Sequence, residues 1–285
     1  MLRHCWFWIA SRLAFEPGAC GERTRSREEA QTLMASGSGK PYGRSFYDRH
    51  VAGATNSAAV IVPILVETLR PRRVVDVGCG VGAWLAAFHR QGADRILGLD
   101  GDHVPHDRLL IAPEHFRPTD LRQPFHLDER FDLVISTEVA EHLPQGAAAG
   151  FVTALTTLGD IVFFSAAIPR QGGDHHVNEQ WQSYWAALFA TRGYRPIDCI
   201  RPRVWDNPAV GWWYAQNSLL YASPAAIARS TALRDLLQQS AGRPLDIVHP
   251  RRFLLDDNPE EISVRRAWRV LRAALQHRIA QQLSR

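Results

Sequence analysis

Lysine is almost missing from this chain: of 33 basic residues only Lys40 is one, and the others are arginine. That bias reads as the codon usage of a GC-rich genome. The formal net charge is only +4 and no basic stripe runs along the sequence, which argues against a nucleic-acid partner. Cysteine is scarce as well. Cys5, Cys20, Cys79 and Cys199 are widely scattered with no C-x-x-C pair, so no disulfide framework is indicated and a reducing cytoplasm fits. No apolar run reaches the roughly 18 residues of a membrane span. The opening MLRHCWFWIASRLAF mimics a signal peptide, but Ser11 and Arg12 interrupt its apolar run, which is short for that role. A cytoplasmic protein is expected.

What is present points to one large domain with appendages. The chain has 285 residues, 46% hydrophobic and 22% charged, ordinary for a globular protein. Residues 1–40 differ in texture from the rest and end in MASGSGK. They are expected to be a flexible extension, or one mis-annotated if Met34 is the true start. Residues 41–223 are expected to form the main domain and 224–285 a helical carboxyl-terminal extension. SAAVIVPILVETL reads as an amphipathic helix, with Pro63 tolerable only near a helix start or at a kink. Short β-branched runs, RRVVDV, RILGLD, FDLVIST and DIVFFSAA, then alternate with helical stretches, which indicates a doubly wound, parallel α/β sheet. After Gly193, IDCIRPRVW and GWWYAQNSLLYAS read as two strands with no helix between them, an antiparallel pair at one edge.

The strand ends carry the chemistry. In VVDVGCGVG the glycines are Gly78, Gly80 and Gly82, where a strand must turn sharply and its backbone can touch a ligand. The spacing is not the dinucleotide fingerprint G-x-G-x-x-G. Asp76 lies inside the strand. Asp100, in GLDGD, ends the second strand, where a carboxylate can accept both hydroxyl protons of a ribose. Asp120, in PTDL, follows a third strand end, within reach of an adenine amino group.

These motifs, VVDVGCGVGAWL, GLDGD, TDL and FDLVISTEVAEHLP, resemble the successive signatures of class I S-adenosylmethionine-dependent methyltransferases, over roughly residues 57–222. The resemblance implies a mostly parallel seven-stranded sheet with an antiparallel last strand pair, helices on both faces, and S-adenosylmethionine as cofactor. It implies that Gly78 and Gly80, with Cys79 and Gly82 in the same turn, lie against the methionine moiety while Asp76 faces its amino group. Asp100 and Gly101 would hold the ribose, Asp120 and Leu121 the adenine, and Glu138 would close the pocket near the transferred methyl.

Methyl transfer from a sulfonium is an in-line displacement, so the protein chiefly positions the acceptor; a hydroxyl acceptor also needs a base. Two segments are expected on the acceptor side. In TEVAEH, Glu138, Glu141 and His142 fall at i, i+3 and i+4 on one face of a starting helix. In GGDHHVNEQW, Asn178 is expected to cap a helix with Glu179 in its first turn. The face Trp181, Tyr184, Trp185, Leu188 and Phe189 would be buried, and Gly193 would end the helix as its C′ residue. Gln171, His175 and His176 are then the acceptor-side candidates, and WWYAQN, taken as strand, adds aromatics and an amide pair.

Three readings stay open for these two segments: a general base, with His142 or His176 taking the proton; a metal site, with Glu138, Glu141, His142 and His175 or His176 as ligands; or structure alone. The metal reading resembles the Glu-x-x-Glu-His set of magnesium-assisted methyltransferases that act on RNA 2′-hydroxyls or on catechol-like quinone precursors. HVNEQW and WYxQN also resemble a group of bacterial methyltransferases, which implies a small-molecule or surface-saccharide acceptor.

In the tail, Val264, Trp268, Leu271, Leu275, Ile279 and Leu283 form one stripe amid arginines. It is expected to dock on the body, with an anionic membrane surface as the alternative. The sequence therefore indicates an O-methyltransferase for a small molecule or glycan, with catalytic candidates His142, His176 and Glu138 and no metal. An RNA 2′-O-methyltransferase with a metal-assisted site and a non-catalytic cofactor-binding protein are the rivals.

Overall fold

The structure, a computed structural model, describes residues 44–254 and, beyond them, Trp268, Leu271, Arg272, Leu275, Gln276 and Arg278. The expectation for residues 1–40 lies outside the described residues. Helix α1 (Arg44–Leu69) leads into β1 (Arg73–Val77), α2 (Ala83–Arg90), β2 (Arg95–Asp100), β3 (Phe116–Pro118) and β4 (Leu133–Thr137). Then follow α3 (Ala148–Leu158), β5 (Ile161–Ser165), α4 (Gln182–Thr191) and β6 (Arg195–Ile197). The chain continues through α5 (Arg201–Val204), α6 (Trp212–Asn217), β7 (Leu219–Ala222), α7 (Pro224–Arg229), α8 (Thr231–Ser240) and α9 (Pro250–Leu254).

The strands form one seven-stranded sheet in the order β3-β2-β1-β4-β5-β7-β6. All pairs are parallel except those of β7, which runs antiparallel to β5 and β6. Runs such as LVIST and IVFFS are buried throughout, because helices cover both faces of a parallel sheet. Alternate residues feed two cores. Val74, Ile135 and Phe163 pack with Ile61, Leu65, Trp84 and Phe88 of α1 and α2. Val75, Val134 and Phe164 pack with Phe151, Leu155, Trp185 and Phe189 of α3 and α4, where Phe189 stacks on Tyr221 at 3.9 Å. The parallel register aligns the carboxyl ends of β1, β2 and β4 at one edge, with Val77 opposite Leu99 and Thr137 opposite Ser165.

Four expectations are corrected. The last two strands are not joined by a plain turn: α5 and α6 lie between them, and WWYAQN is helix. Its three consecutive aromatics carry strand propensity, but tertiary packing decides such segments. Trp213 lies against Gly53 of α1, and Tyr214 meets Trp84 edge-on at 5.3 Å. Helix α1 starts well before Ser57, so Pro63 sits in its interior, on the exposed side. Helix α4 starts at Gln182 with Trp181 at its N-cap, not with Asn178, and Trp181 is 40% exposed. Gly193 does close it, at φ 80°. Finally, Val51–Leu69 is long and apolar enough to cross a membrane. Here Ala58, Ile61, Val62 and Leu65 are buried in the first core, and Ser57 Oγ accepts the Gly211 N–H across to the α5–α6 loop.

The tail departs from its expected docking at the positions described. Trp268, Leu271 and Leu275 are helical yet exposed at 66%, 50% and 51%. Val264, Ile279 and Leu283 lie outside the described residues.

Candidate functional site

The cofactor rim is built mainly from backbone. β1 ends in a turn whose three glycines have φ of 88°, 52° and 86°, a left-handed region that side chains resist. Asp100 straps this turn to the end of β2: its oxygens accept the Gly80 and Gly101 N–H groups, each at 2.7 Å. The glycines differ in what they face. A Cβ on Gly78 would lie 2.2 Å from Val139 Cγ2, and one on Gly82 2.9 Å from Ile111, whereas at Gly80 it would meet nothing within 4 Å. The backbone at Gly80 therefore faces open space.

Asp76 is buried below the turn, and neither carboxylate oxygen has a hydrogen-bond partner among the described residues. Burial, then the charge of Asp100, push its carboxyl well above the usual range. Burial also raises Asp100, against the two N–H bonds that favour its charge. The Cys79 thiol is buried and pushed far up by burial and by the neighbouring Asp76 and Asp100, so it is a packing group and not a nucleophile. Asp120 is exposed and held by Arg122 in a two-pronged pair at 2.8 and 2.9 Å, which lowers its carboxyl. Leu121 packs against the second core.

These residues fit an amino-acid nucleoside. An ammonium would satisfy the orphaned Asp76 oxygens, Asp100 has lone pairs left for hydroxyls, and the Gly80 cradle is open. Asp120 fits less simply, since its carboxylate is already engaged by Arg122.

The acceptor rim is built from side chains of distant segments. Glu138, after β4, sits at φ 55°, a strain of roughly 1–3 kcal/mol for a non-glycine residue. The expected helix at TEVAEH is a single 3-10 turn, Ala140–His142, and α3 begins only at Ala148. The side chains are brought together all the same. Glu138 accepts from Gln171 Nε2 at 2.9 Å and Asn217 Nδ2 at 3.1 Å. Burial raises its carboxyl, and these donors oppose that. Glu141 is fully buried with neither oxygen at hydrogen-bonding geometry to a described residue. Burial first, and Glu138 second, push it well above the carboxylate range. The His142 and His176 rings meet edge-on at 4.9 Å, and one ligand atom from each of Glu141, His142 and His176 lies within 4.8 Å of the others.

Glu179 closes the loop that carries these groups. It accepts the N–H groups of Arg170 and Gly172 and bonds His176 Nδ1 at 3.0 Å. Burial opposes its charge, but bonds from His176, Gly172 and Arg170 leave its carboxyl below the usual range. Asn178 is buried by this loop, its N–H donating to the Glu141 carbonyl. His175 is exposed at φ 60°. Three participants were missed in the sequence: Gln182, His249 and Arg252. His249 and Arg252 come from the carboxyl-terminal extension, and Arg252 is bonded to the Arg170 carbonyl. No local pattern marks them, since their partners lie 33 to 82 residues away.

Val139 joins the rims, following Glu138 and packing on Gly78. A family model described as a methyltransferase domain matches residues 47–199, more than half of the chain. The chain belongs to that methyltransferase family. Among curated relatives it is similar to the ubiquinone biosynthesis O-methyltransferase of Methylobacterium sp. (strain 4-46), 32% identical over 38% of this chain and 45% of that one. It is also similar to that of Methylococcus capsulatus, 36% identical over 34% and 44%. The chain spans about half the length of these relatives. Among solved structures, a magnesium protoporphyrin IX methyltransferase from Synechocystis PCC 6803 with bound SAH aligns at a TM-score of 0.45 and 18% identity, over 70% of this methyltransferase chain and 95% of that one.

Proposed function

We propose that the protein transfers the methyl group of S-adenosylmethionine to a hydroxyl of a small molecule or saccharide. The observation that carries this reading is the junction of the two rims. The open glycine cradle strapped by Asp100 lies beside a carboxylate and two imidazoles at the carboxyl ends of adjacent strands. The names of the curated relatives favour a small-molecule acceptor.

The bound cofactor would supply an electrophilic methyl group. Asp76 would face its ammonium, Gly78 and Gly80 its chain, and Asp100 with Gly101 its ribose. On the acceptor side the Glu179 carboxylate accepts a hydrogen bond from Nδ1–H of His176, which leaves Nε2 with its lone pair. That nitrogen can take the hydroxyl proton as the methyl is transferred. Glu138, held by the Gln171 and Asn217 amides, would line the pocket beside the reacting centre.

A second reading is favoured by the compact Glu141, His142 and His176 set, whose oxygen and nitrogen atoms suit a divalent cation. Titration with S-adenosylmethionine in EDTA and then in magnesium tests both, followed by an acceptor screen with labelled methyl. Magnesium-independent binding and labelled product support the base reading; a requirement for the cation moves the set to the metal reading and revives an RNA acceptor.

The exposed Trp268, Leu271 and Leu275 favour peripheral contact with an anionic membrane. The stretch 264–285 carries six arginines and no carboxylate, as such contact requires. Deleting residues 262–285 is expected to abolish sedimentation with phosphatidylglycerol vesicles; undiminished sedimentation would place the contact elsewhere.

A further inference from the structure

Behind Glu138 lies a chain of buried amides. Gln171, Gln216 and Asn217 are exposed at 8%, 0% and 2%. An amide can be reversed without changing its shape, so its direction must be fixed by groups that cannot reverse. Two backbone N–H groups do this. Ile168 N–H donates to Gln171 Oε1 at 3.2 Å, which leaves Gln171 Nε2 for Glu138. His249 N–H donates to Gln216 Oε1 at 2.9 Å. The Gln216 Nε2 therefore points the other way, donating to Gln171 Oε1 at 3.1 Å and to Asn217 Oδ1 at 2.9 Å. With its oxygen so occupied, Asn217 turns Nδ2 toward Glu138 Oε1. Both oxygens of Glu138 thus receive an amide donor, and both donors trace back to fixed backbone groups.

The segment that supplies the second anchor is itself clamped in place. Buried Arg201 donates to the Pro244 and Leu245 carbonyls, and Asp246 accepts from Ser183 N–H and Oγ. Gln182 Nε2 reaches the carbonyls of both Gln216 and Ile247. His249 Nε2 meets the Trp205 carbonyl at 2.8 Å.

We infer that residues 244–252 are a working part of the site, and that Gln216, anchored by the His249 N–H, is the positioning residue that aims the amide donors at Glu138. The relay is a matter of geometry; its importance for methyl transfer rests on the function proposed above.

The test uses the full chain and side-chain amide exchange read by NMR. Gln216→Glu sets a carboxylate against two amide oxygens. It is expected to speed exchange of the Gln171 and Asn217 amide protons by about tenfold or more. His249→Pro removes the anchoring N–H and is expected to act in the same direction, while His249→Ala, which keeps that N–H and loses only the Trp205 contact, is expected to speed exchange much less. A merely structural role for His249 would make the alanine and proline variants alike. Wild-type exchange in both Gln216→Glu and His249→Pro would overturn the relay. Calorimetry with S-adenosylmethionine runs alongside: failure of the wild-type protein to bind would remove the functional reading without touching the exchange result.

Discussion

The two rims of this site solve the same problem, holding a carboxylate in place, by opposite means. On the cofactor rim Asp100 is fixed by two backbone N–H groups, that of Gly80 in the glycine turn and that of its own neighbour Gly101, only 20 and 1 residues away. On the acceptor rim Glu138 is fixed by side-chain amides 33 and 79 residues away, one oriented by the Ile168 N–H and the other by the His249 N–H through Gln216. A backbone cradle constrains the residue types that can form it, so it leaves a motif. A side-chain relay needs only that the fold bring the partners together. The first should be fragile to added bulk in the turn, and the second to changed polarity at distant positions.

The glycine turn separates fold from ligand most sharply. Gly78→Ala places a methyl in Val139 at positive φ and is expected to cost about 3 kcal/mol or more of stability. Gly80→Ala meets no neighbour and should cost only about 1–2 kcal/mol, the left-handed penalty, yet weaken S-adenosylmethionine binding strongly. Denaturant unfolding and calorimetry on the two variants check this. Equal stability losses would blur the distinction between a packing glycine and a ligand-facing one.

The pH dependence of stability addresses the acceptor rim. The unfolded chain releases the Glu141 proton near the ordinary 4.5, whereas the folded chain holds it to higher pH. The native state then binds more protons, so stability falls as pH rises above about that value. Glu141→Gln should remove this fall, giving a gain in Tm that is larger at pH 8 than at pH 4. A gain of the same size at both values would show that Glu141 ionises as freely in the folded protein as in the unfolded one.

A smaller effect is expected at the loop. Glu179→Gln breaks a charge-assisted closure of residues 170–179 and should cost about 1–2 kcal/mol. Because the loop is exposed at Gly172 to His175, limited proteolysis should show faster cleavage there, with a fall in Tm of only a few degrees. Cleavage as slow as in the wild type would mean that Glu179 is not what holds the loop shut.

How much could be read beforehand follows the same division. The alternation of strands and helices, the reversed last strand and the Gly78–Asp100 cradle were legible because each leaves a local pattern. The amide pair of WWYAQN is visible in the sequence but reads as strand, since three consecutive aromatics carry β propensity and the Gly53 and Trp84 surfaces that make it helical are far away in the chain. An asparagine before an apolar face is usually a cap; here the Asn178 side-chain oxygen accepts from Gln180 Nε2 instead, and the helix begins four residues later. The exposed tail stripe had the periodicity of a docking helix, and periodicity does not say what covers a face.

Calorimetric titration of the wild-type chain and of Asp100→Ala with S-adenosylmethionine tests whether the Gly80–Asp100 cradle holds the cofactor beside Glu138. Micromolar binding by the wild type and a loss of about hundredfold or more in the variant are expected. Absence of binding by the wild type, or equal affinity in both, would contradict that placement.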